Sequence, residues 1–248
     1  MSPGMGSKLK RAPDRLFVAI ADREIPVAVK RNTRAKRIIL RIDHAARLPV
    51  LTIPSRMGMV QGQDFLERNL EWLESRLSLL TPAVPFRDGG YFPLRGRSCR
   101  IHQCGGRGPI RLETSGTWHV LSVPGDAASL PRRITEWLRA EARADFEAAV
   151  ARYARAVRRR PAGIRIGDPK SRWGSCSAHG VLSFSWRLVL APPRVLDYLA
   201  AHETAHLVEM NHGPKFWALV ERLHSNCATA RNWLDKEGAA LAAVGRAI

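Results

Sequence analysis

Apolar and polar positions keep a short period over the first half of the chain and change to a longer one in the second. "LFVAI" (16–20), "IPVAVK" (25–30), "KRIILRID" (36–43) and "LPVLTIP" (48–54) are short, β-branched and partly alternating, with turn or charged residues between them. That pattern predicts a small meandering sheet. In "GQDFLERNLEWLESRLSLL" the apolar positions Phe65, Leu66, Leu70, Leu73 and Leu77 recur at helical spacing, which predicts one amphipathic helix. "TPAVPFRDGG" breaks it. A second strand group follows in "YFPLRG", "SCRIHQC", "IRLET" and "WHVLSVP", with Gly105, Gly106 and Gly108 in the turns. No internal repeat has a sharp sequence signature.

From Leu130 onward the period is helical. "LPRRITEWLRAEARADFEAAVARYARAVRRR" predicts a long helix that starts near Pro131. Ile134, Leu138, Phe146, Val150, Tyr153 and Val157 form its expected buried stripe. Its end carries Arg152, Arg155, Arg158, Arg159 and Arg160. Cations there suit the helix dipole, and an anion-binding patch is the alternative reading. "AGIRIG" and "RWGSCSAHGVLSFSWRLVLAP" predict strands around a turn at Ala178–Gly180. Within them Val181, Ser183 and Ser185 alternate with Leu182, Phe184 and Trp186, as in a half-buried strand. Pro192 and Pro193 open a helix through "RVLDYLAAHETAHLVEM", and "GPKFWALVERLH" and "ARNWLDKEGAALAAV" predict two more. The first dozen residues, rich in Gly, Pro and Lys, read as a flexible tail. The expected fold class is α+β: a tail over 1–13, a mainly β region with one helix over 14–125, and an α+β region over 126–248 that carries the histidines.

Composition changes this picture in two respects. A chain of 248 residues can bury a real core. Forty Lys and Arg against 22 Asp and Glu give a net charge of +18, a field that attracts nucleic acid and other polyanions. The competing reading is an Arg-rich solvated surface. Cys99, Cys104, Cys176 and Cys227 form no CxxC pair, no apolar run approaches membrane-spanning length, and the N-terminal residues lack a signal-peptide pattern. A cytoplasmic protein with reduced thiols and no membrane partner is therefore expected.

The chemistry is concentrated in "AHETAHLVEMNH", residues 201–212. His202 and His206 lie four residues apart on a predicted helix, so the second side chain sits one turn above the first and about 40° round. Two imidazoles so placed reach one ion. Glu203 is too far round to complete that set, but it can hydrogen-bond a water on the metal and take its proton. Catalytic zinc takes three protein ligands and one open position. His212, ten residues after His202, is the expected third. The HExxHxxGxxH pattern uses a glycine to turn the chain back; here Glu209 occupies that place, and Asn211, tolerant of the left-handed conformation, is the expected substitute. One Zn2+ per chain is the expected cofactor. Nickel, cobalt or manganese are not separated from it by spacing alone.

Around this motif, "RWGSCSAHGVLSFSWRLVLAPPRVLDYLAAHETAHLVEMNHGPKFW" closely resembles the core of the YgjP-like metallopeptidases, a gluzincin-type family related to SprT-like proteins. The resemblance is strongest over residues 164–235, including "FWALVERL" and "RNWL", and extends more loosely to "RNTRAKRIILRI". It implies a zincin-like metallopeptidase domain over 126–248, zinc held by His202, His206 and His212, and Glu203 as general base. Thr204 stands where a leucine is common. The family name says peptidase, while some members are assigned as nucleoside triphosphate pyrophosphatases.

Further residues are candidates for the cleft or for support of the ligands. Arg172, Trp173, Gly174, Ser175 and Cys176 read either as one wall of the cleft, aligning an extended substrate, or as a structural turn. Tyr198 and Glu209 share the face of His202; Tyr198 reads as a support for a ligand or as core, and Glu209 as a further ligand or a partner of an imidazole. Cys176 has no base identifiable beside it, and His179 and His224 have no partner at metal spacing. The leading expectation is a peptidase in which a zinc-bound water activated by Glu203 attacks a peptide carbonyl. Alternatives are a nucleoside triphosphate pyrophosphatase, suited by the surplus of Arg, and a DNA-associated protease of SprT-like type. The expected partners are accordingly a peptide or unfolded protein, a nucleotide, or nucleic acid held non-specifically by the basic surface.

Overall fold

The computed structural model describes residues 11–12, 15–20, 23–43, 48–78, 82–116, 118–169 and 172–246. The expected tail lies mostly outside them. The chain divides into two compact units, Met1–Leu80 and Thr81–Ile248.

In the first unit the strands β1 (Arg11–Ala12), β2 (Arg15–Ile20), β3 (Arg23–Asn32), β4 (Ile39–Asp43) and β5 (Leu48–Pro54) form one sheet in the order β1-β2-β3-β5-β4. It is not the meander expected. β3 pairs in parallel with β5, Ala28 opposite Val50, and β4 returns antiparallel on the outer side of β5. Leu16, Val18, Val27, Leu51 and Ile53 form its buried face with Leu66 and Leu73. The single helix expected after it is two, α1 (Met59–Glu67) and α2 (Leu70–Ser78). The break falls at Arg68 and Asn69, where the Asn69 side-chain amide donates to the Phe65 carbonyl at 2.7 Å. An Asn that bonds back to the preceding turn competes with the helix ladder.

The second unit begins with the same strand topology. β6 (Tyr91–Leu94), β7 (Arg97–Cys104), β8 (Arg111–Ser115) and β9 (Trp118–Pro124) run in the order β6-β7-β9-β8, with β7 and β9 parallel and both outer pairs antiparallel. A hairpin, a parallel return and an outer antiparallel strand thus occur twice, each time followed by helix. Topology carries this likeness without a sequence signature.

The long helix α3 (Leu130–Ala156) starts at a Pro-bearing first turn and buries Ile134, Leu138, Phe146, Val150 and Tyr153, as the spacing predicts. Phe92, Leu94, Ile101, Leu121 and Val123 belong to the same core cluster as these residues. The second strand group is therefore part of the C-terminal unit, and the compact-unit boundary lies near 80 rather than near 125. An inward alternation of apolar side chains shows that a strand has a core, but not which core.

A second, three-stranded sheet of β10 (Gly163–Gly167), β11 (Gly174–Cys176) and β12 (Val181–Ser185) has the order β10-β12-β11. "WRLVL", expected as strand, is a 3-10 helix, Trp186–Leu190, in which all five residues are buried. The Ser185 hydroxyl accepts from the Arg187 backbone N–H and starts that turn. α4 (Pro193–Ala205), α5 (Pro214–Leu223) and α6 (Cys227–Ala243) complete the unit. α4 packs against α3, α5, α6 and β11 and is buried on most of its surface. Among the described residues no helix is long and apolar enough to cross a membrane. The four cysteines are unpaired.

Candidate metal centre

α4 carries His202 and Glu203 in its last turns, and His206 is its C-terminal cap. The helix was expected to reach Met210 but stops at Ala205. The Leu207 and Val208 amides bond three residues back, to Thr204 and Ala205, and tighten the end. The chain then turns without any left-handed residue between Leu207 and His212, because the described non-glycine residues of positive φ are Arg95 and Arg158. The role expected of Asn211 is therefore corrected. Its carbonyl accepts from the Gly213 amide at 2.7 Å, and the Glu209 carbonyl accepts from a histidine ring, so hydrogen bonds rather than a special backbone angle close the turn.

His202, His206 and His212 converge. Each offers one ring nitrogen, and the three nitrogens lie within 4.8 Å of one another. Nitrogens bound to one tetrahedral ion at about 2.0–2.1 Å stand about 3.3 Å apart, and Nε2 of His212 is 3.1 Å from Nε2 of His202. That gap admits one proton or one cation between two lone pairs. His206 Nδ1 is 3.0 Å from the Glu209 carbonyl. A carbonyl only accepts, so Nδ1 carries the proton and Nε2 keeps its lone pair for an ion. Glu209 thus acts through its main chain, and its carboxylate is not in the converging set. The Tyr198 hydroxyl is 3.5 Å from His202 Nδ1, a long contact that orients the ring only weakly. Burial, reinforced by the two neighbouring histidines, pushes the His202 pKa down to about 4, and burial also lowers that of His206. Neutral imidazoles are the form a cation binds.

α5 provides the floor. Phe216, fully buried, stacks on His206 with centroids 4.4 Å apart and meets the edges of His202 and His212 at 4.9 and 4.7 Å. Trp217 lies nearly parallel to His212 at 5.8 Å. Neither aromatic was singled out from the sequence. The signal available was their position, just after the last histidine at the first turn of an amphipathic helix.

Glu203 is 4 % exposed. Burial raises its carboxyl pKa to about 7 against the lowering influence of Arg172. β11 stands directly against it. A Cβ built on Gly174 would lie 2.6 Å from Glu203 Oε1 and 2.9 Å from its Cγ. Only a residue without a side chain lets this strand approach the glutamate so closely. Of the neighbouring candidates, Trp173 is half-buried beside Gly238 of α6, where a Cβ would meet its indole at 3.1 Å. Ser175 pairs with Ser183 across the sheet. Cys176 is held as a thiol by burial and by Glu203. His179 is exposed, and His224 lies 3.8 Å from Asp197, so neither joins the triad.

A family model described as YgjP-like, metallopeptidase domain, matches residues 36–237. The chain belongs to the YgjP-like family. No curated protein and no solved structure matches it. Membership of the YgjP-like family makes this a metallopeptidase-type domain with a metal cofactor, and the three-histidine donor set fits one.

Proposed function

We propose that the protein is a zinc-dependent peptidase in which His202, His206 and His212 hold the ion and Glu203 is the general base. The observation that carries this reading is the buried carboxyl of Glu203, on the helix between two converging histidines and fixed against Gly174. A divalent ion bound there supplies an acidified water and an electrophile for the substrate carbonyl. Glu203 takes the proton of the attacking water on its carboxylate and returns it to the leaving amine. Among the described residues β11 is the last strand of its sheet, and an extended peptide paired along its outer edge would bring a carbonyl beside Glu203. Trp173 and Gly238 hold that edge in place through their contact. Glu203→Gln keeps the carboxyl's shape but removes its basicity. The metal-loaded variant should retain one ion per chain and lose peptide hydrolysis. Full turnover by it would remove Glu203 from the mechanism.

A second reading, hydrolysis of a nucleoside triphosphate with release of pyrophosphate, has one observation in its favour. Beside the triad, Tyr198, Trp217 and Arg231 line a cavity of about 440 Å³. Arg231 lies over the Trp217 ring at 5.5 Å and has no ion-pair partner among the described residues. An indole face and a free guanidinium suit a base and a phosphate. Glu221 and Asp235 in the same cavity oppose a polyanion. Pyrophosphate release by the wild type and not by Glu203→Gln would favour this reading over the peptidase.

A further inference from the structure

Arg95 and Arg158 are the non-glycine residues of positive φ in the described chain, at 49° and 54°. Such a backbone is strained for any residue with a Cβ, and strain that persists asks for a reason. For Arg95 the reason is visible. It occupies the two-residue β6–β7 turn with Gly96, and its guanidinium reaches Asp145 at 2.9 Å and Glu141 at 2.8 Å on α3. Arg158 has no such compensation. It closes α3, where the Arg159 amide donates to the Ala154 carbonyl and the Arg158 amide to that of Arg155, at 3.0 and 3.1 Å. This pair of bonds is the Schellman cap, and its left-handed position is usually glycine.

The side chain of Arg158 is exposed and pairs with no carboxylate among the described residues, and the same holds for Arg155, Arg159 and Arg160. The four line one cleft of about 640 Å³. Glu147, the carboxylate on its rim, is paired with Arg143 at 3.2 Å. Complementing the helix dipole does not account for the cluster. Only Arg155 is a cation of the last helical turn, and the dipole's influence fades beyond it.

We propose that this cleft binds the phosphate backbone of a nucleic acid, independently of sequence and apart from the metal centre. Unopposed guanidinium groups match phosphate oxygens in pairs. The cleft holds no aromatic ring to stack a base and no amide side chain to read one, so it takes the backbone alone. Of its apolar residues Val150 and Ala154 form a buried floor, Pro161 and Ile164 are half-buried, and the exposed one, Ala151, is a single methyl. No large apolar side chain is fully exposed, which favours a strand of phosphates over a lipid surface. Arg158 at a glycine position is then a side chain kept for its ligand at the expense of the cap.

The test is fluorescence anisotropy of a labelled 20-nucleotide duplex and single strand with the full-length protein between 50 and 200 mM salt. The logarithm of wild-type affinity should fall linearly with the logarithm of salt concentration, by about 0.9 of a slope unit per phosphate engaged on the duplex and about 0.7 on the single strand. Replacing Arg155, Arg159 and Arg160 with alanine should remove about two to three units of slope. Arg158→Gly is the sharper variant. It should weaken binding several-fold and remove about one slope unit, while Tm stays level or rises by up to about 3 °C, because glycine suits the cap. Unfolding then cannot explain the lost binding. A control with Arg87, Arg100 and Arg222 changed to alanine removes the same charge from exposed sites elsewhere and should keep the wild-type slope. Four results would overturn the proposal: no DNA binding by the wild type, equal losses in control and cleft variants, unchanged binding by Arg158→Gly, or cleft-dependent binding to phosphatidylserine vesicles but not to DNA.

Discussion

Gly174→Ala tests the link between β11 and Glu203. Gly174 does not have a left-handed backbone, so alanine fits the strand and the nearest obstacle among the described residues is the glutamate. The new Cβ would stand 2.6 Å from Oε1, 2.9 Å from Cγ and 3.0 Å from Cδ. Ordinary carbon contacts begin near 3.4 Å, so the carboxyl must retreat by about 0.8 Å. Glu203 is 4 % exposed and its Cα is fixed in α4, so the retreat is a rotation of the side chain within a packed site. A displacement of that size at a reacting group costs about 100-fold in rate, or about 2.7 kcal/mol of transition-state stabilisation. Overpacking lowers stability by about 1 kcal/mol, the small end of its range, because a side chain yields more easily than backbone. Metal content should remain one ion per chain, since no ligand moves. The assay is initial-rate hydrolysis of fluorogenic peptides by metal-loaded protein, with bound metal and Tm measured on the same samples. In a Glu203→Gln background, Gly174→Ala should cost nothing further, because both changes act on one carboxyl. Wild-type turnover by Gly174→Ala, or the same loss in both backgrounds, would refute the reasoning.

Two further predictions concern the scaffold. Arg187 is 4 % exposed and holds Asp168 at 2.7 Å while donating to the carbonyls of Leu241 and Val244, so Asp168→Asn strands a buried cation and should cost about 3 kcal/mol in urea unfolding. Burial works to raise the Asp168 pKa, but hydrogen bonds and charge from Arg187, helped by Arg246 and Arg139, hold it below 3.8. A lowered folded pKa stabilises above the unfolded value and is lost as pH falls through the folded one, so wild-type Tm should drop below about pH 4 in a step that Asp168→Asn lacks. Burial pushes the Cys99 thiol up to about 12, so at pH 8 a thiol reagent should label Cys99 only after unfolding, and mass-spectrometric detection of label there in the folded protein would contradict its core placement.

The parts of the site legible in the sequence are those fixed by helical geometry. His202, Glu203 and His206 are placed by one helical turn, and the period of α3 shows its buried stripe from Ile134 to Tyr153. Where the outcome rests on contacts between distant segments, local pattern is silent or misleading. "WRLVL" continues the strand "VLSFS" as a short apolar run, yet it is a buried 3-10 turn, since burial on all sides erases the difference between the two periods. β8 and β9 look like part of an N-terminal β half until their core partners on α3 are known. The turn to His212 is built by acceptors in the main chain, and no side-chain rule exposes them.

Gly174 marks the boundary between what the sequence carries and what it does not. A lone glycine inside a strand signals that something approaches closely, and "RWGSC" carries that signal in plain view. What approaches is Glu203, 29 positions later, and nothing in either segment's period names the other. Gly238, which makes room for Trp173 from 65 positions away, follows the same logic. The three converging histidines are local in sequence, whereas the clearances that position Glu203, the proposed base, are long-range. Substitutions at these two glycines should therefore alter turnover before they alter metal binding.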